Sequence, residues 1–263
     1  MRDLWHHSVA MLRNPRLVAL HLVGNAVLLT AASMWLLIPE AHVWQLLFAA
    51  ISALLIVLVF LWIHSGTLAY GAEPVREKFR EAFSPNIWRL LWLAIGCFIL
   101  FWCMRVVEGW TDKTWQISGY VYSKAPSFLR PTSGPVSYGN ALAYVFLILE
   151  WYVIPSILLP LISARVIGVG SLAGLRTLGR WKYWLSMAVV GLAGVWVTRL
   201  IVNWTPGTTL NEQTVSLVLR LGAAYVLATA AWLVTAGMLG YFVSRGSSAQ
   251  GVPAALFAAK NPP

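Results

Sequence analysis

Residues 43–64 read VWQLLFAAISALLIVLVFLWIH and hold no lysine, arginine, aspartate or glutamate. Such a run matches the roughly 20 apolar residues that a helix needs to cross a hydrocarbon core. Lipid offers no hydrogen bonds, so the segment must satisfy its own peptide groups, which an α-helix does. Five runs of similar character lie outward from it, at about 17–38, 87–107, 141–164, 183–203 and 214–243. The expected fold is all-α, a polytopic membrane helix bundle with about six transmembrane helices.

Composition agrees. The chain is 59% hydrophobic and 11% charged, whereas soluble proteins carry roughly 25% charged residues. The net charge of +10 raises the question of nucleic acid. Most of the basic residues, however, fall in short segments between the apolar runs, where topology signals belong. Nucleic acid is therefore set aside, and the lipid bilayer with its anionic headgroups is the expected partner. Cys97 and Cys103 face different sides of one helix and read as small apolar residues rather than a disulfide.

The first run could pass for a signal peptide, with Arg13 and Arg16 before it and Ala31, Ala32 and Ser33 near its end. It continues to Ile38, so a retained helix is expected. Alternating spans place most of the 19 basic residues on one side. They lie in the N-terminal segment, in the second-to-third and fourth-to-fifth connections, and in the tail. By the positive-inside rule both termini are cytoplasmic, in a bacterial inner membrane. The lipid-headgroup candidates are Arg13, Arg16, Arg76, Lys78, Arg80, Arg89, Arg176, Arg180 and Lys182. Tryptophans such as Trp35, Trp44, Trp88, Trp181 and Trp204 mark span ends, as interfacial indoles do. Trp102, Trp196 and Trp232 read as core.

Residues 1–245 are expected to form one transmembrane domain and 246–263 a flexible cytoplasmic tail. The outer connection 108–140 contains Pro126, Pro131, Gly134 and Pro135 and is expected to resist regular structure. Its aromatics, Trp115, Tyr120, Tyr122, Phe128 and Tyr138, predict that it folds over the bundle or meets a partner. Three stretches share a basic amphipathic segment running into a span: LWHHSVAMLRNPRLVAL, VREKFREAFSPNIWRLLWL and SLAGLRTLGRWKYWLSM. They divide the chain into three two-helix units, each preceded by a short interfacial helix. Phe79 and Phe83 form the apolar face of the second of these.

Polar groups inside spans are the places where function would sit. Glu150, in LILEWYVIPSILLP, is set well into the fourth span ahead of Pro155 and Pro160. Arg105, Arg199 and Arg220 are its candidate ion-pair partners, Arg199 or Arg105 foremost. His21 and Asn25 lie one turn apart, on one face. They read as interhelical hydrogen-bonding groups, with ligation of haem or chlorin by His21 the sharper alternative. His64 beside Ser65 has the wrong geometry for a dyad, and His6 and His7 read as solvated. Ala224 with Ala228, Ala231 with Thr235, Ala236 with Gly240, and Gly191, Gly194 and Thr198 offer small surfaces for close helix approach.

No HExxH, no GxSxG and no paired carboxylates occur within a span. GVGSLAG at 168–174 lacks the spacing of a phosphate loop. No cofactor or metal is assigned. The expected function is a non-catalytic accessory or scaffold subunit, contacting other membrane subunits through the last two spans and the outer loop. The alternative is a small transporter with Glu150 in a proton- or ion-coupled pathway.

Overall fold

The computed structural model describes residues 2–39, 42–207 and 209–248. Six helical spans are long and apolar enough to cross a membrane. They are α2 (Pro15–Trp35), α3 (Val43–Ala72), α5 (Ile87–Thr111), α7 with α8 (Pro135–Ile148, Ile154–Ile167), α10 with α11 (Trp181–Gly191, Thr198–Asn203) and α12 (Leu210–Ser248). Four short helices stand between or before them: α1 (Arg2–Leu12), α4 (Phe79–Ala82), α6 (Thr114–Lys124) and α9 (Ser171–Leu178). The protein is an all-α, multi-pass helical membrane protein. From residue 249 on, the expected tail lies outside the described residues, and residues 246–248 continue α12.

Local chemistry explains where the spans begin and end. Asn14 caps α2, its Oδ1 accepting from the backbone N–H of Arg16 at 3.1 Å and Leu17 at 3.4 Å, with Pro15 at the first helical position. Asn86 repeats the device before α5, accepting from Trp88 at 3.0 Å and Arg89 at 3.3 Å. Gly168, at φ +87°, ends α8 in the left-handed conformation. The N–H of Val169 then reaches the Ala164 carbonyl, and that of Gly168 the Arg165 carbonyl. The fourth and fifth spans each contain a π turn, at Leu149–Val153 and Leu192–Val197. In the fourth, Pro155 has no N–H for the Trp151 carbonyl, and the helix widens just there.

The chain divides into two compact units. One comprises the residues up to Ala94 together with those from Pro160 on; the other is Ile95–Leu159. In the first, α12 is central and packs against α1, α2, α3, α9, α10 and α11. Gly71 of α3 and Gly240 of α12 bring the two backbones into direct contact, and a Cβ on Gly71 would lie 2.5 Å from the Ala236 carbonyl oxygen. Gly194 of the fifth span faces the Ala231 methyl group, 2.7 Å from where a Cβ would lie. Gly194, Ala231, Ala236 and Gly240 of the last two spans are thus engaged within the chain, whereas Ala228 is exposed.

The three short basic helices all exist: α1 packs on α12, α4 on α3, and α9 on α12 and the end of α8. Met11 and Ser8 of α1 rest on Gly237 of α12. The Phe83 ring, just after α4, covers Gly66 of α3 and meets Trp62 edge-on, while Phe79 meets Tyr70. Gly174 of α9 sits against Pro160 and Leu161 of α8. The face of Phe79 and Phe83, expected to lie in the headgroup layer, is turned onto protein instead. Packing on the neighbouring helix buries the Phe83 ring, covers part of the Phe79 ring and fixes the entry of the next span.

In the second unit, α6 packs on α7: the Trp115 ring covers Gly139, and Tyr122 meets Tyr138. Here the expected irregular loop 108–140 is corrected. The third span continues to Thr111, Thr114–Lys124 is helical, and the fourth span already starts at Pro135. Pro135 marks a helix start, because a first-turn residue needs no N–H donor. Trp102 and Trp196, expected as core, are exposed on the flanks of their spans.

Candidate functional site

The polar side chains of α2, α3 and α12 converge. His21 is fully buried, and both ring nitrogens are engaged. The Thr67 hydroxyl donates to the Ile63 carbonyl at 2.7 Å, so its oxygen accepts from His21 Nε2–H, also at 2.7 Å. This fixes the tautomer: His21 Nδ1 accepts from the Asn25 amide at 3.3 Å. The bonds run Asn25 to His21 to Thr67 to Ile63, joining the first two spans. With no lone pair left over, His21 has none to offer haem or chlorin.

The Tyr225 hydroxyl ties α12 to the same place, donating to the Leu22 carbonyl at 2.6 Å, with the His21 carbonyl at 3.2 Å. His64 stands beside His21, ring centroids 5.5 Å apart and edge-on. Its Nδ1–H donates to the Phe60 carbonyl at 2.9 Å, its ring stacks on Phe60 at 4.1 Å, and Trp232 lies 5.4 Å away. A cleft of about 460 Å³ opens between the three spans, with Asn25, His64, Tyr225, Thr229 and Trp232 among its lining residues.

Beyond this site, Trp35 Nε1–H donates to the Ala49 carbonyl at 2.8 Å, joining the first two spans near their other end. Where α1 meets α3, Asn14 donates to the Tyr70 hydroxyl at 2.9 Å and His7 to the Gly71 carbonyl at 2.8 Å. His7 is therefore not a solvated group, and burial holds its pKa below the ordinary 6.5 despite the Gly71 bond. His6 is exposed.

The headgroup candidates split into two kinds. Arg176 donates to the Gly246 carbonyl at 3.3 Å and Arg180 to the Phe242 carbonyl at 3.2 Å, so both cap the C-terminal turns of α12. Arg89 donates to the Ala82 carbonyl at 3.1 Å. Lys78 pairs with Glu73 at 2.5 Å, which raises its pKa. Arg13, Arg16 and Arg80 are exposed, and Lys182 lies 6.0 Å from the Trp181 ring centroid. The backbone at Arg76 begins a short 3₁₀ turn.

Glu150 sits in the π turn of the fourth span, half-buried. Two of its three expected partners are used otherwise. Arg105 pairs with Glu108 at 2.5 Å, one turn along its own helix. Arg220, buried, donates to the Val202 carbonyl at 2.6 Å and to the Ser216 carbonyl at 3.2 Å, and so caps the end of the fifth span. Arg199 is exposed. Among the described residues the ion pairs are Lys78–Glu73 and Arg105–Glu108.

Sequence reasoning missed His64, Thr67, Tyr225 and Trp232 as one group. The signal was present: polar or indole side chains recur at helical spacing inside apolar runs, three apart in α3 and seven apart in α12. The chain matches no protein-family model, and no curated protein or solved structure matches it significantly.

Proposed function

We propose that this membrane protein is a non-catalytic accessory or scaffold subunit, contacting other membrane proteins and lipids. The outer connection is the observation that supports this reading. It is folded on itself: Tyr138 donates to the Leu129 carbonyl at 2.6 Å and Arg130 to the Ala125 carbonyl at 2.9 Å. Yet it leaves Phe128 81% and Tyr120 67% exposed. Aromatic side chains on an ordered surface are the residues that anchor protein interfaces. The asymmetry of basic residues orients both termini to the cytoplasm of a bacterial inner membrane, with the outer connection on the far side.

The test is purification of the tagged full chain from its native membrane in mild detergent. A companion in fixed ratio is expected, lost from the Tyr120→Ser, Phe128→Ser double variant. A monodisperse monomer from both proteins overturns the reading.

One observation favours a second reading, a small permease. Glu150 lies in a π turn immediately ahead of Pro155, and π turns and prolines are where transport helices loosen. On that reading, Glu150→Gln abolishes proton- or ion-coupled flux in reconstituted vesicles. Unchanged flux removes its support.

A further inference from the structure

Two rings that line the cleft between α2, α3 and α12 each carry a polar atom without a partner among the described residues. With Nδ1–H given to Phe60, the uncharged His64 ring offers Nε2 as an acceptor, and that atom makes no hydrogen bond among the described residues. Trp232 Nε1–H is buried and has no hydrogen-bond partner among the described residues. The two rings are neighbours on the cleft wall, with Asn25 and Thr229 beside them. Leaving a buried N–H unpaired is costly, and phenylalanine would fill the same space without that cost.

We propose that this cleft binds a membrane-soluble lipid whose head is an uncharged hydroxyl group, such as a long-chain alcohol or an isoprenoid quinol. The head lies between His64 Nε2 and Trp232 Nε1–H, and the chain runs along Leu28, Val57 and Phe60. A hydroxyl supplies both what His64 accepts and what Trp232 donates to. Four features select this class. No lysine, arginine, aspartate or glutamate lines the cleft, so a charged head would be buried without a counter-ion. Leu29, Val57 and Phe60 are exposed at its rim, so entry is sideways from the bilayer. Asn25 lies about 15 Å along α2 from Pro15, well below ordinary headgroups. The volume of about 460 Å³ suits a small amphiphile, whereas a partner helix is about 10 Å across. This site goes beyond the subunit reading and stands whether or not a companion protein exists.

The test uses the full chain in phosphatidylcholine vesicles with hexadecanol carrying a chain diazirine, and hexadecane carrying the same group as its control. Irradiation is expected to label peptides containing Leu28–Leu29 and Ile56–Phe60, with the hexadecane probe about tenfold weaker. His64→Phe and Trp232→Phe keep the ring volume and are each expected to cut hexadecanol labelling about tenfold, while Glu150→Gln leaves it unchanged. Competition by unlabelled hexadecanol or by an isoprenoid quinol then tells which source is preferred. Equal labelling by the two probes overturns the proposal. So does unchanged labelling in both ring variants, each eluting as folded protein, or occupation of the cleft by a co-purifying protein.

Discussion

His21 and Glu150 are both polar side chains set deep in apolar spans, yet their surroundings differ. Around His21 the neighbouring helix supplies a complement: Thr67 accepts its Nε2–H, and Asn25 and Tyr225 close the rest. Around Glu150 it is the helix itself that changes, widening into a π turn before Pro155. The first region uses polarity to hold three spans in register. The second keeps an ionisable group where the backbone is least regular. Depth in an apolar run marks a residue as consequential; only its neighbours tell whether it fastens or stays available.

The sharpest way to break this comparison is steric. Gly240 of α12 lies on the Gly71 backbone, whereas Gly119 of α6 has open space where a Cβ would go. Gly240→Leu should cost about 3 kcal/mol or more and abolish the folded peak in size-exclusion chromatography. Gly119→Ala should be neutral or gain about 0.5 kcal/mol. Comparable losses in both would mean that the close α3–α12 packing is not what holds the first unit.

A smaller effect is expected from Tyr225→Phe, which removes only the hydroxyl bonded to the Leu22 carbonyl. Thermal unfolding in detergent should show a loss of about 1 kcal/mol. The α1–α3 junction adds a pH dependence. His7 takes its proton at lower pH in the fold than in the unfolded chain. Its contribution is therefore complete above about pH 6.5 and declines as pH falls below that value. The midpoint of His7→Gln should drop less between pH 7.5 and 5.5 than that of the unaltered chain. Smallest of all, Glu150→Gln should change stability by less than about 0.5 kcal/mol, because Glu150 makes no ion pair among the described residues.

The six spans were legible because lipid demands long apolar runs, and their ends were misjudged for the same reason. The second span was expected to stop at His64, but α3 continues to Ala72. Its added segment, with Ser65, Gly66, Thr67, Tyr70 and Gly71, is the most buried part of the helix. Hydropathy finds the surface that lipid touches; the surface that packs on protein is smaller and more polar. The short basic helices were legible from their amphipathic pattern, but the surface that Phe79 and Phe83 cover was not. The bond from His21 to Thr67 spans 46 positions and depends on the pairing of two helices that no local pattern encodes. Arg105, Arg176, Arg180 and Arg220 found carboxylate or carbonyl partners close by in space, where charge counting had offered them to Glu150 or to lipid.

The claim beneath the whole account is that buried polar groups fasten the first, second and sixth spans together. It is tested most directly by a double-mutant cycle of His21→Leu and Thr67→Val, read as unfolding free energies of the full chain in mild detergent. The account predicts that each single variant loses about 1 kcal/mol and that the double variant loses less than the sum, with a coupling of roughly 0.6–1.7 kcal/mol. Strict additivity, with no coupling between the two positions, would contradict it.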